Sequence, residues 1–491
     1  MKDTKFVILV LFSLSIDVLS KEYHDFDVRQ HLSTVTRYGA VPVVPDNLIV
    51  PSKLPESCVP IHLNLVARHG TRSPTKKRIR ELDGLAIRLK ELVDSAKGKR
   101  GSFQNVPDWL LRWESPWKGK VTGGELISQG EEELYHLGVR VREKFPDLFK
   151  DPYHPDVYSI KSTQVPRASA SAVAFGMGLL SERGNLGPGL NRAFSVITES
   201  RASDLMLRFF DSCESYKSYR KRHEPVVEQL KEPILNDITS VFVSRYGLNF
   251  SRHDIASLWF LCKQEASLMN VTNQACGLFS SSEVALLEWT DDVEGFILKG
   301  YGNSVNYRMG VPLLKDIVQS MEQAIKAKEE KHTPGSYEKA RLRFAHAETV
   351  VPFSCLLGLF LEGSDFEKIQ KEETLNLLPR PPQERQWKGS IVAPFAANNM
   401  LVLHNCPAET TNKYFVQVFH NEYPISLPGC NNSDFCPFEV FKERIVAPHM
   451  KHDYHTICSA NPEPSMQISF TSKLANFFRR LFLSTGDRNE L

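Results

Sequence analysis

The sequence predicts an α/β protein with an inserted, mostly α-helical domain. Two segments of apolar or alternating residues, typical of buried strands, end at chemistry-rich motifs near residues 68 and 346. Between these motifs, residues 166–335 carry mainly helical patterns. The α/β domain is therefore predicted to be discontinuous, formed by residues 21–165 and 336–491.

The composition is that of a globular chain with little net charge. Of the 491 residues, 42% are hydrophobic and 24% are charged, and the formal net charge is +2. Such a length fits about two or three domains. Because the chain lacks the basic excess typical of nucleic-acid binding, no nucleic-acid partner is expected. Any recognition of anions must therefore be local.

Each motif follows a predicted strand. Ile61–Val66 alternates at period two before the first motif, and Arg341–Ala345 comes before the second. In open α/β sheets, ligands bind at the carboxyl ends of strands. We therefore expect His69 and His346 to lie near one another, although 277 positions separate them.

Other segments have recognisable element patterns. Residues 78–95 carry apolar residues at helical spacing, so a helix is predicted after the first motif. Ser128–Glu131 has the pattern of a capping box, which predicts the start of another helix. The remaining predictions are strands at Val157–Ile160, Ile391–Leu403 and Tyr414–Phe419, a helix over Val351–Leu361, and a surface loop over residues 377–382.

The first 20 residues have the pattern of a cleavable signal peptide. Basic residues precede an apolar run from Phe6 to Ile16, and the small residue Ser20 follows. The run is shorter than the roughly 20 apolar residues that span a bilayer. A buried helix or an anchor is the alternative interpretation. No later segment is long and apolar enough to span a bilayer, so no stable membrane span is expected.

Cysteines and sequons agree with an oxidising compartment. The chain has nine cysteines, so at least one is free or pairs with another chain. Two pairs are close enough in sequence to close small loops, namely Cys262 with Cys276 and Cys430 with Cys436. Sequons that predict glycosylation on surface loops are at Asn249, Asn270 and Asn431.

The last four residues, Arg488–Leu491, resemble an ER-retrieval tetrapeptide. Asn489 departs from the usual aspartate, and a chance polar tail is the alternative. The expected location is the secretory pathway, with secretion, a vacuole and the ER lumen all open.

The first motif has the residue types that phosphate chemistry requires. A phosphate monoester is doubly charged near neutral pH and repels a nucleophile until that charge is neutralised. Arg68 and Arg72 supply forked donors that match phosphate oxygens. His69 can attack phosphorus if its reactive nitrogen is unprotonated. Gly70 is expected to let the backbone turn tightly and approach the ligand. A surface turn with a few charges is the alternative.

Three motifs together resemble the histidine acid phosphatase family. Arg68–Pro74 resembles the family signature Arg-His-Gly-x-Arg-x-Pro, and Arg167–Ser169 resembles the second element. Most members have His-Asp as the third element. His346–Glu348 instead resembles the His-Ala-Glu variant of the multiple inositol polyphosphate phosphatase branch, which includes some plant phytases. Asp204–Cys213 also resembles that branch, and the likeness spans roughly residues 45–470.

The resemblance implies a phosphoglycerate-mutase-like mixed sheet flanked by helices, and a role for each site residue. His69 would be the nucleophile that forms a phosphohistidine. Arg68, Arg72 and Arg167 would clamp the phosphate, and His346 would also donate to it. The implied chemistry needs no metal or other cofactor.

Glu348 would be the proton donor to the leaving oxygen and would then help to activate water. The variant motif changes its approach, because Ala347 inserts one residue and glutamate adds a methylene relative to His-Asp. The carboxyl group must therefore reach the leaving group by a different path.

Thr75 and Lys76 match positions that contact substrate beyond the scissile phosphate in related phytases. Lys76 belongs to a basic cluster with Lys77, Arg78 and Arg80. A polyphosphorylated ring would need such a rim, whereas a solvated helix face is the alternative.

The resemblance also implies two long-range disulfides. Cys58 would pair with Cys406, and Cys213 with Cys458. Together with the two short-range pairs this leaves Cys355 as a free thiol, which is expected to be buried on the helix after Glu348.

Three histidines near the C-terminus could be misread as a metal site. His449, His452 and His455 recur at a spacing of three near Asp453. Three histidines in an irregular stretch do not specify zinc, so no metal site is predicted here.

The expected function is hydrolysis of phytate and other inositol polyphosphates through a phosphohistidine on His69, with Glu348 as proton donor. A bisphosphoglycerate phosphatase acting on 2,3-bisphosphoglycerate, or a broad-specificity acid phosphatase, is the alternative; the signal peptide and the insert argue against a cytosolic mutase. A non-catalytic inositol-phosphate-binding protein is an alternative of another class. Its cue would be loss of the nucleophile or the acid, and both residues are present.

Overall fold

The computed structural model describes residues 26–41, 57–97, 105–333, 335–361, 365–371, 385–409 and 412–459. The predicted signal peptide, the predicted loop over residues 377–382 and the tetrapeptide Arg488–Leu491 lie outside these ranges. Among the described residues, no helix has both the length and the apolar character needed to cross a membrane.

One mixed sheet forms the centre of the fold and confirms the predicted α/β class. Its strands are β1 (Val59–Arg68), β2 (Tyr158–Thr163), β3 (Ile197–Glu199), β4 (Ala340–Ala345), β5 (Asn398–Asn405), β6 (Tyr414–His420), β7 (Tyr423–Pro424) and β8 (Phe435–Pro437). The order is β3-β2-β4-β1-β5-β6-β7, and β8 pairs with β6. The first four strands in that order are parallel, whereas β5 and β6 are antiparallel to their neighbours.

Strand β1 lies inside the sheet and is covered on both faces. Eight of its ten residues are buried, as expected for a strand of a parallel sheet that lies between helices. Arg68 is in register with Ala345 of β4. Because β1 and β4 are parallel neighbours, the residues that follow them, His69 and His346, emerge side by side at one edge of the sheet. The predicted proximity of these two histidines is confirmed.

Helices cover both faces of the sheet and form the helical insert. Before β4 they are α1 (Lys76–Ala96), α2 (Asp108–Leu111), α3 (Ser128–Lys144), α4 (Pro166–Leu179), α5 (Phe209–Ser212), α6 (Glu214–Tyr246), α7 (Arg252–Gln264), α8 (Ser281–Lys299), α9 (Val305–Arg308) and α10 (Val311–Glu329). After β4 they are α11 (Ala347–Leu356), α12 (Asp365–Gln370), α13 (Gly389–Val392), α14 (Phe438–Phe441), α15 (Ala447–Met450) and α16 (Tyr454–Ser459). Short 3-10 turns are Val28–Gln30, Ser33–Val35, Tyr38–Ala40, Cys276–Leu278 and Pro428–Cys430, and single π turns are Glu265–Met269 and Lys442–Val446.

Three elements within residues 166–335 belong to the sheet or contact it. Helix α4 packs its buried face into the same apolar cluster as β1 and β2, and β3 pairs directly with β2. Helix α10 also reaches the sheet, because Ser320 and Asn64 of β1 hydrogen-bond at 3.0 Å. We therefore propose that the helical insert begins after β3 and ends before α10.

Three predicted elements have different bounds in the structure. Ile127 occupies the N-cap position of α3 without a side-chain capping bond, and Ser128 lies inside the first turn, so the predicted capping box is wrong. Strand β5 begins at Asn398 and not at Ile391, because Ala396 has a φ of 57° and interrupts the extended backbone. Helix α11 ends at Leu356, shortly before Gly358, whose φ of 74° terminates the helix.

The cysteine pairing agrees with the sequence analysis. The disulfides are Cys58–Cys406, Cys213–Cys458, Cys262–Cys276 and Cys430–Cys436. Cys355 is a free thiol, fully buried on α11. Disulfides of this number indicate folding in an oxidising compartment. The three sequon asparagines, Asn249, Asn270 and Asn431, are all exposed, and their glycosylation stays a prediction.

Candidate active site

The loop after β1 continues the sheet by backbone hydrogen bonds. The amide of Arg68 donates to the carbonyl of Ala397 at 2.7 Å, and that of His69 donates to Ala345 at 3.0 Å. The carbonyl of His69 accepts from Ala396 at 3.0 Å. His69 is therefore held on both sides by its backbone, and only its side chain is free to take part in chemistry.

The turn at Gly70 is fixed by close packing against the start of α3. A side chain at Gly70 would place its Cβ 2.2 Å from the carbonyl oxygen of Gly130, so only glycine fits there. Glu133, also on α3, accepts from both the amide and the hydroxyl of Thr71 at 2.8 Å. The sequence analysis expected Gly70 to allow approach of a ligand, whereas the structure shows that it allows approach of a helix.

A single hydrogen bond sets the protonation of His69. Its Nδ1 lies 2.9 Å from the carbonyl oxygen of Gly70, which can only accept, so Nδ1 carries the hydrogen. Burial, together with the guanidinium of Arg68, holds the pKa of His69 well below its ordinary value. The ring is therefore neutral, and its Nε2 has the lone pair that a nucleophile requires.

Three arginines surround His69. Arg68 is anchored by the carbonyls of Thr34 and Ala393 at 2.5 and 2.6 Å, while Arg72 donates to Ser73 at 2.8 Å. Arg167 lies in the first turn of α4. Each of the three has a buried Nε–H without a hydrogen-bond partner among the described residues. Unpaired buried donors are costly, so this arrangement favours an anion as their acceptor.

The electrostatics of these arginines also favour an anion. Burial lowers the pKa of Arg68 to about 9, with repulsion from Arg72 as a further cause. Burial and the same neighbour lower the pKa of Arg167 to about 10. Cations that depress one another's pKa in a confined space are stabilised by a bound dianion, because it restores charge balance.

His346 is also neutral, and its tautomer is set by Arg208. A guanidinium nitrogen of Arg208 donates to Nε2 of His346 at 2.9 Å, and the hydroxyl of Thr163 lies 3.1 Å from the same atom. Burial, followed by repulsion from Arg167, lowers the pKa of His346 to about 3. Arg167 also has a guanidinium nitrogen 3.4 Å from Nδ1, but the contact with Arg208 is the shorter one, so Nε2 accepts and Nδ1 carries the hydrogen. Nδ1 and the Arg167 guanidinium are two donors that can bind one oxygen of an anion.

Arg208 was not assigned a role by the sequence analysis. It is buried and is held by Asp211, whose carboxylate accepts from its Nε at 2.9 Å, and its guanidinium lies 5.2 Å from the ring centroid of Phe210. Its only sequence signal was the resemblance of Asp204–Cys213 to one branch of the family, which carried no statement about its contacts.

Glu348 lies in the first turn of α11 and pairs with Lys299, the last residue of α8, at 2.9 Å. Burial is the largest single influence and raises the pKa of the Glu348 carboxyl, but the charge and hydrogen bond of Lys299, together with smaller contributions, hold this pKa well below its ordinary value. Glu348 is therefore a carboxylate in the free protein. The sequence analysis did not identify Lys299.

Thr75 and Lys76 lie at the start of α1, and their contact with substrate stays a prediction. A Cβ built on Gly124 would lie 3.8 Å from Thr75 Cγ2 and 3.9 Å from a guanidinium nitrogen of Arg167, so Thr75 borders the site. Lys76 is exposed. Arg78 has a different environment, because it pairs with Glu81 one turn along α1 at 2.6 Å.

The three C-terminal histidines do not form one cluster. His449 is buried, and its Nε2 donates to the carbonyl of Leu356 at 3.1 Å, so that nitrogen cannot coordinate a metal. His455 is exposed on α16.

The site as a whole combines a nucleophilic imidazole with several hydrogen-bond donors and one carboxylate. The rings of His69 and His346 are 5.5 Å apart, centroid to centroid, and meet edge to face. A histidine lone pair among arginines, at the carboxyl edge of a sheet, defines a phosphate-binding site of the phosphohistidine-forming class.

The chain belongs to the histidine phosphatase superfamily, branch 2, whose profile matches residues 61–421. It is therefore a phosphatase. Among curated proteins, it is similar to multiple inositol polyphosphate phosphatase 1 of Homo sapiens, with 28% identity over 421 residues, 81% of this chain and 82% of that protein. It is also similar to the protein of that name from Dictyostelium discoideum, with 27% identity over 465 residues, 84% of this chain and 70% of that protein.

Two solved structures share the fold. The phytase from D. castellii matches with a TM-score of 0.65 and 17% identity, over 92% of this chain and 91% of that one. The multiple inositol polyphosphate phosphatase of Bifidobacterium longum, in complex with inositol hexasulfate, matches with a TM-score of 0.59 and 18% identity, over 86% of this chain and 98% of that one.

Proposed function

We propose that this chain is a phosphomonoesterase that hydrolyses phytate and other inositol polyphosphates through a phosphohistidine on His69. The observation that carries the proposal is the lone pair on Nε2 of His69. It lies among three arginines whose buried Nε–H groups have no partner in the described part of the chain. A phosphoryl group is the ligand that suits both features, because its oxygens accept from the arginines while its phosphorus accepts the lone pair.

In the first half-reaction, Nε2 of His69 attacks phosphorus. The N–P bond forms while the bond between phosphorus and the ester oxygen of the inositol ring breaks. Arg68, Arg72 and Arg167 stabilise charge on the equatorial oxygens. The leaving oxygen takes a proton from the carboxyl group of Glu348, so that the inositol product departs as a neutral alcohol.

In the second half-reaction, water attacks the phosphohistidine. Glu348, now a carboxylate, accepts a proton from that water as the O–P bond forms and the N–P bond breaks. Inorganic phosphate is released, the lone pair returns to His69, and Glu348 has regained the proton that it gave to the leaving oxygen. It loses this proton to solvent in the free protein, where it pairs with Lys299. The net reaction is hydrolysis of one phosphate ester by one water.

The substrate class is supported by the cationic character of the site and by the relatives. Arg208 adds a fourth guanidinium beside His346. Several relatives bear the name multiple inositol polyphosphate phosphatase, and one solved neighbour is a complex with inositol hexasulfate, a sulfate analogue of a hexaphosphorylated ring. We further infer a location in the lumen of the secretory pathway or outside the cell, which the four disulfides and the exposed sequons support.

Phosphate release from inositol hexakisphosphate tests the proposal directly. Purified wild-type protein is expected to release inorganic phosphate, and His69→Ala is expected to release none. His154→Ala is the matched control, because His154 is an exposed histidine whose nearest charged partner is the surface residue Asp156, at 3.5 Å. Full activity of His69→Ala would reject the mechanism.

Trapping of the intermediate tests the covalent step. Brief incubation with radiolabelled substrate, followed by an alkaline quench, should retain label on the wild-type chain and none on His69→Ala. A time-resolved profile of the inositol products on the same samples would show which esters are cleaved.

The alternative functions give different results in the same assays. A bisphosphoglycerate phosphatase would prefer 2,3-bisphosphoglycerate, and a broad-specificity acid phosphatase would cleave glycerol 2-phosphate with comparable kcat/KM. A non-catalytic binding protein would bind inositol hexakisphosphate without releasing phosphate.

A further inference from the structure

The ion pair between Lys299 and Glu348 joins the end of one helix to the start of another. Lys299 is the last residue of α8, and Glu348 is the second residue of α11. Their charged atoms are 2.9 Å apart, and the two side chains keep 24% and 31% of their surface exposed. The pair is thus neither fully buried nor fully exposed, and solvent can reach both charged groups.

The backbone around Lys299 is held firmly. The hydroxyl of Tyr301 donates to the carbonyl of Leu359 at 2.8 Å, beyond the end of α11, and the side-chain amide of Asn306 donates to the carbonyl of Gly300 at 3.0 Å. Only the side chain of Lys299 can therefore change partner. A lysine stem has several rotatable bonds, and its ammonium is a compact charge that can move between two nearby anions.

Among the described residues, the other titratable groups that interact with Glu348 are cations or neutral rings. From β1 and the loop after it these are Arg68 and Arg72, and from α4 it is Arg167. Helix α6 contributes Tyr216 and Arg220, and His346 precedes Glu348 in the chain. Lys299 is the cation in direct contact with the carboxylate.

This contact conflicts with proton donation. A general acid must carry its proton when the ester bond breaks, whereas an ammonium at 2.9 Å stabilises the carboxylate. The conflict disappears if Lys299 leaves Glu348 when a substrate binds. Glu294, on the same helix, also interacts with Lys299, but it is present with or without substrate. Because the scissile phosphate is bound by the arginines, a further phosphate group of the substrate is the new anion that can draw the ammonium away.

We propose that Lys299 is a specificity-determining residue that pairs with Glu348 in the free enzyme and with a second phosphate group in the substrate complex. Its departure lets Glu348 take up a proton from solvent, and the proton donor therefore forms only when a polyphosphorylated substrate is bound. A monophosphate leaves Lys299 on Glu348 and is cleaved slowly. This inference rests on the proposed function. It explains how the site would cleave substrates with several phosphate groups faster than monophosphates.

The test compares inositol hexakisphosphate with glycerol 2-phosphate. Both have an alcohol leaving group that needs protonation, but glycerol 2-phosphate has no second phosphate. For Lys299→Met, we expect KM for inositol hexakisphosphate to rise about tenfold or more, because a charged contact is lost. For glycerol 2-phosphate, we expect the alkaline limb of the kcat profile to move to higher pH, because Glu348 keeps its proton more readily.

Two further variants separate positioning from structure. Lys299→Arg keeps the charge and should restore most of the preference for inositol hexakisphosphate. Lys442→Met is the matched control, because Lys442 also joins two elements through an ion pair, with Glu322 at 3.2 Å, and has a similar exposure of 30%. In a Glu348→Gln background, Lys299→Met should no longer move the pH profile.

The outcomes are distinct. Thermal denaturation first establishes that Lys299→Met is folded. If the folded variant then loses kcat/KM equally for both substrates and keeps the wild-type pH profile, the inference is wrong while the proposed function stands. A folded wild-type enzyme that cleaves neither substrate would overturn the proposed function itself. If Lys299→Met does not fold, Lys299→Gln provides the same comparison.

Discussion

For each of the two histidines at the centre of the site, one neighbouring group determines which ring nitrogen carries the hydrogen. A backbone carbonyl fixes hydrogen on Nδ1 of His69, and Arg208 fixes hydrogen on Nδ1 of His346. As a result, one ring presents a lone pair and the other a donor. Neither assignment follows from the residue type, because histidine adopts either tautomer according to its partners.

The depressed pKa of His69 gives a prediction about acid conditions. A histidine whose pKa lies below its ordinary value stays neutral as the pH falls, so the nucleophile remains available in acid. We expect an NMR titration of histidine-labelled protein to show His69 still neutral at pH values well below 6.5, the ordinary histidine value. A titration midpoint near that ordinary value would contradict the structural argument.

Arg208 should matter for activity although its role is to orient another residue. In Arg208→Met, His346 loses the donor on Nε2, and its tautomer is no longer determined. Since a charged hydrogen bond contributes about 1.5–3 kcal/mol, we expect kcat/KM for inositol hexakisphosphate to fall about 10- to 100-fold.

The control for Arg208 is Arg142→Met, which removes an arginine that donates to the carbonyl of Ser181 at 2.8 Å. Its activity is expected to stay within a factor of about two of the wild type, as for most substitutions away from a site. Equal losses in both variants would show that Arg208 acts only through stability. A smaller loss in Arg208→Lys than in Arg208→Met would support the orienting role.

At the scale of elements, the loop after β1 depends on its fit against α3. Residues 68–72 pack so closely on the first turn of this helix that glycine is required on both sides, at Gly70 and at Gly130. The capping box predicted from Ser128–Glu131 does not form, because α3 begins at Ser128 and the N-cap position is occupied by Ile127, whose side chain cannot accept a hydrogen bond.

Alanine at Gly130 should damage both stability and activity. Its Cβ would lie 2.2 Å from the carbonyl oxygen of Thr71, so the loop or the helix must move. Because overpacking costs about 1–3 kcal/mol, we expect the free energy of unfolding in urea to fall by that amount, and phosphate release to fall with it.

Gly84→Ala on α1 is the matched control for Gly130→Ala. No atom lies within 4 Å of a Cβ built there. Alanine has the higher helix propensity, so stability should stay unchanged or rise by up to about 1 kcal/mol. Similar destabilisation of both variants would mean that the contact with Thr71 is not the cause.

At the scale of the whole molecule, two long-range disulfides connect distant parts of the chain. Cys213–Cys458 joins the start of α6 to α16 across 245 positions, while Cys58–Cys406 links strands that already pair. The first bridge therefore supplies a connection that the sheet does not.

Removal of the bridge between α6 and α16 should destabilise the fold. For Cys213→Ala combined with Cys458→Ala, we expect a loss of about 2–5 kcal/mol in the free energy of unfolding, because the unfolded chain gains conformational freedom. The measurement is urea denaturation. Cys355→Ala removes a buried thiol without removing a bridge and is expected to cost less. An equal cost in both variants would contradict this role of the bridge.

The sequence by itself determined the α/β class, the two strands that carry the motifs, and the residue types of the site. Periodicity was sufficient for this, because strands and helices impose repeats of two and 3.6 residues on any chain that buries one face. The sequence also indicated that His69 and His346 lie at strand ends. Bounds set by turns, such as the start of β5 after Ala396, were not accessible in this way, since no repeat marks a residue with positive φ.

Only the tertiary structure decided which residues complete the site. Arg208 reaches His346 across 138 positions and Lys299 reaches Glu348 across 49, and neither separation carries a local pattern. Parallel pairing of β1 with β4 places the two histidines side by side, and the packing of α8 against α11 brings Lys299 to Glu348. Protonation follows from such contacts, because the pKa of a side chain is set by the charges and the solvent around it and not by its neighbours in sequence.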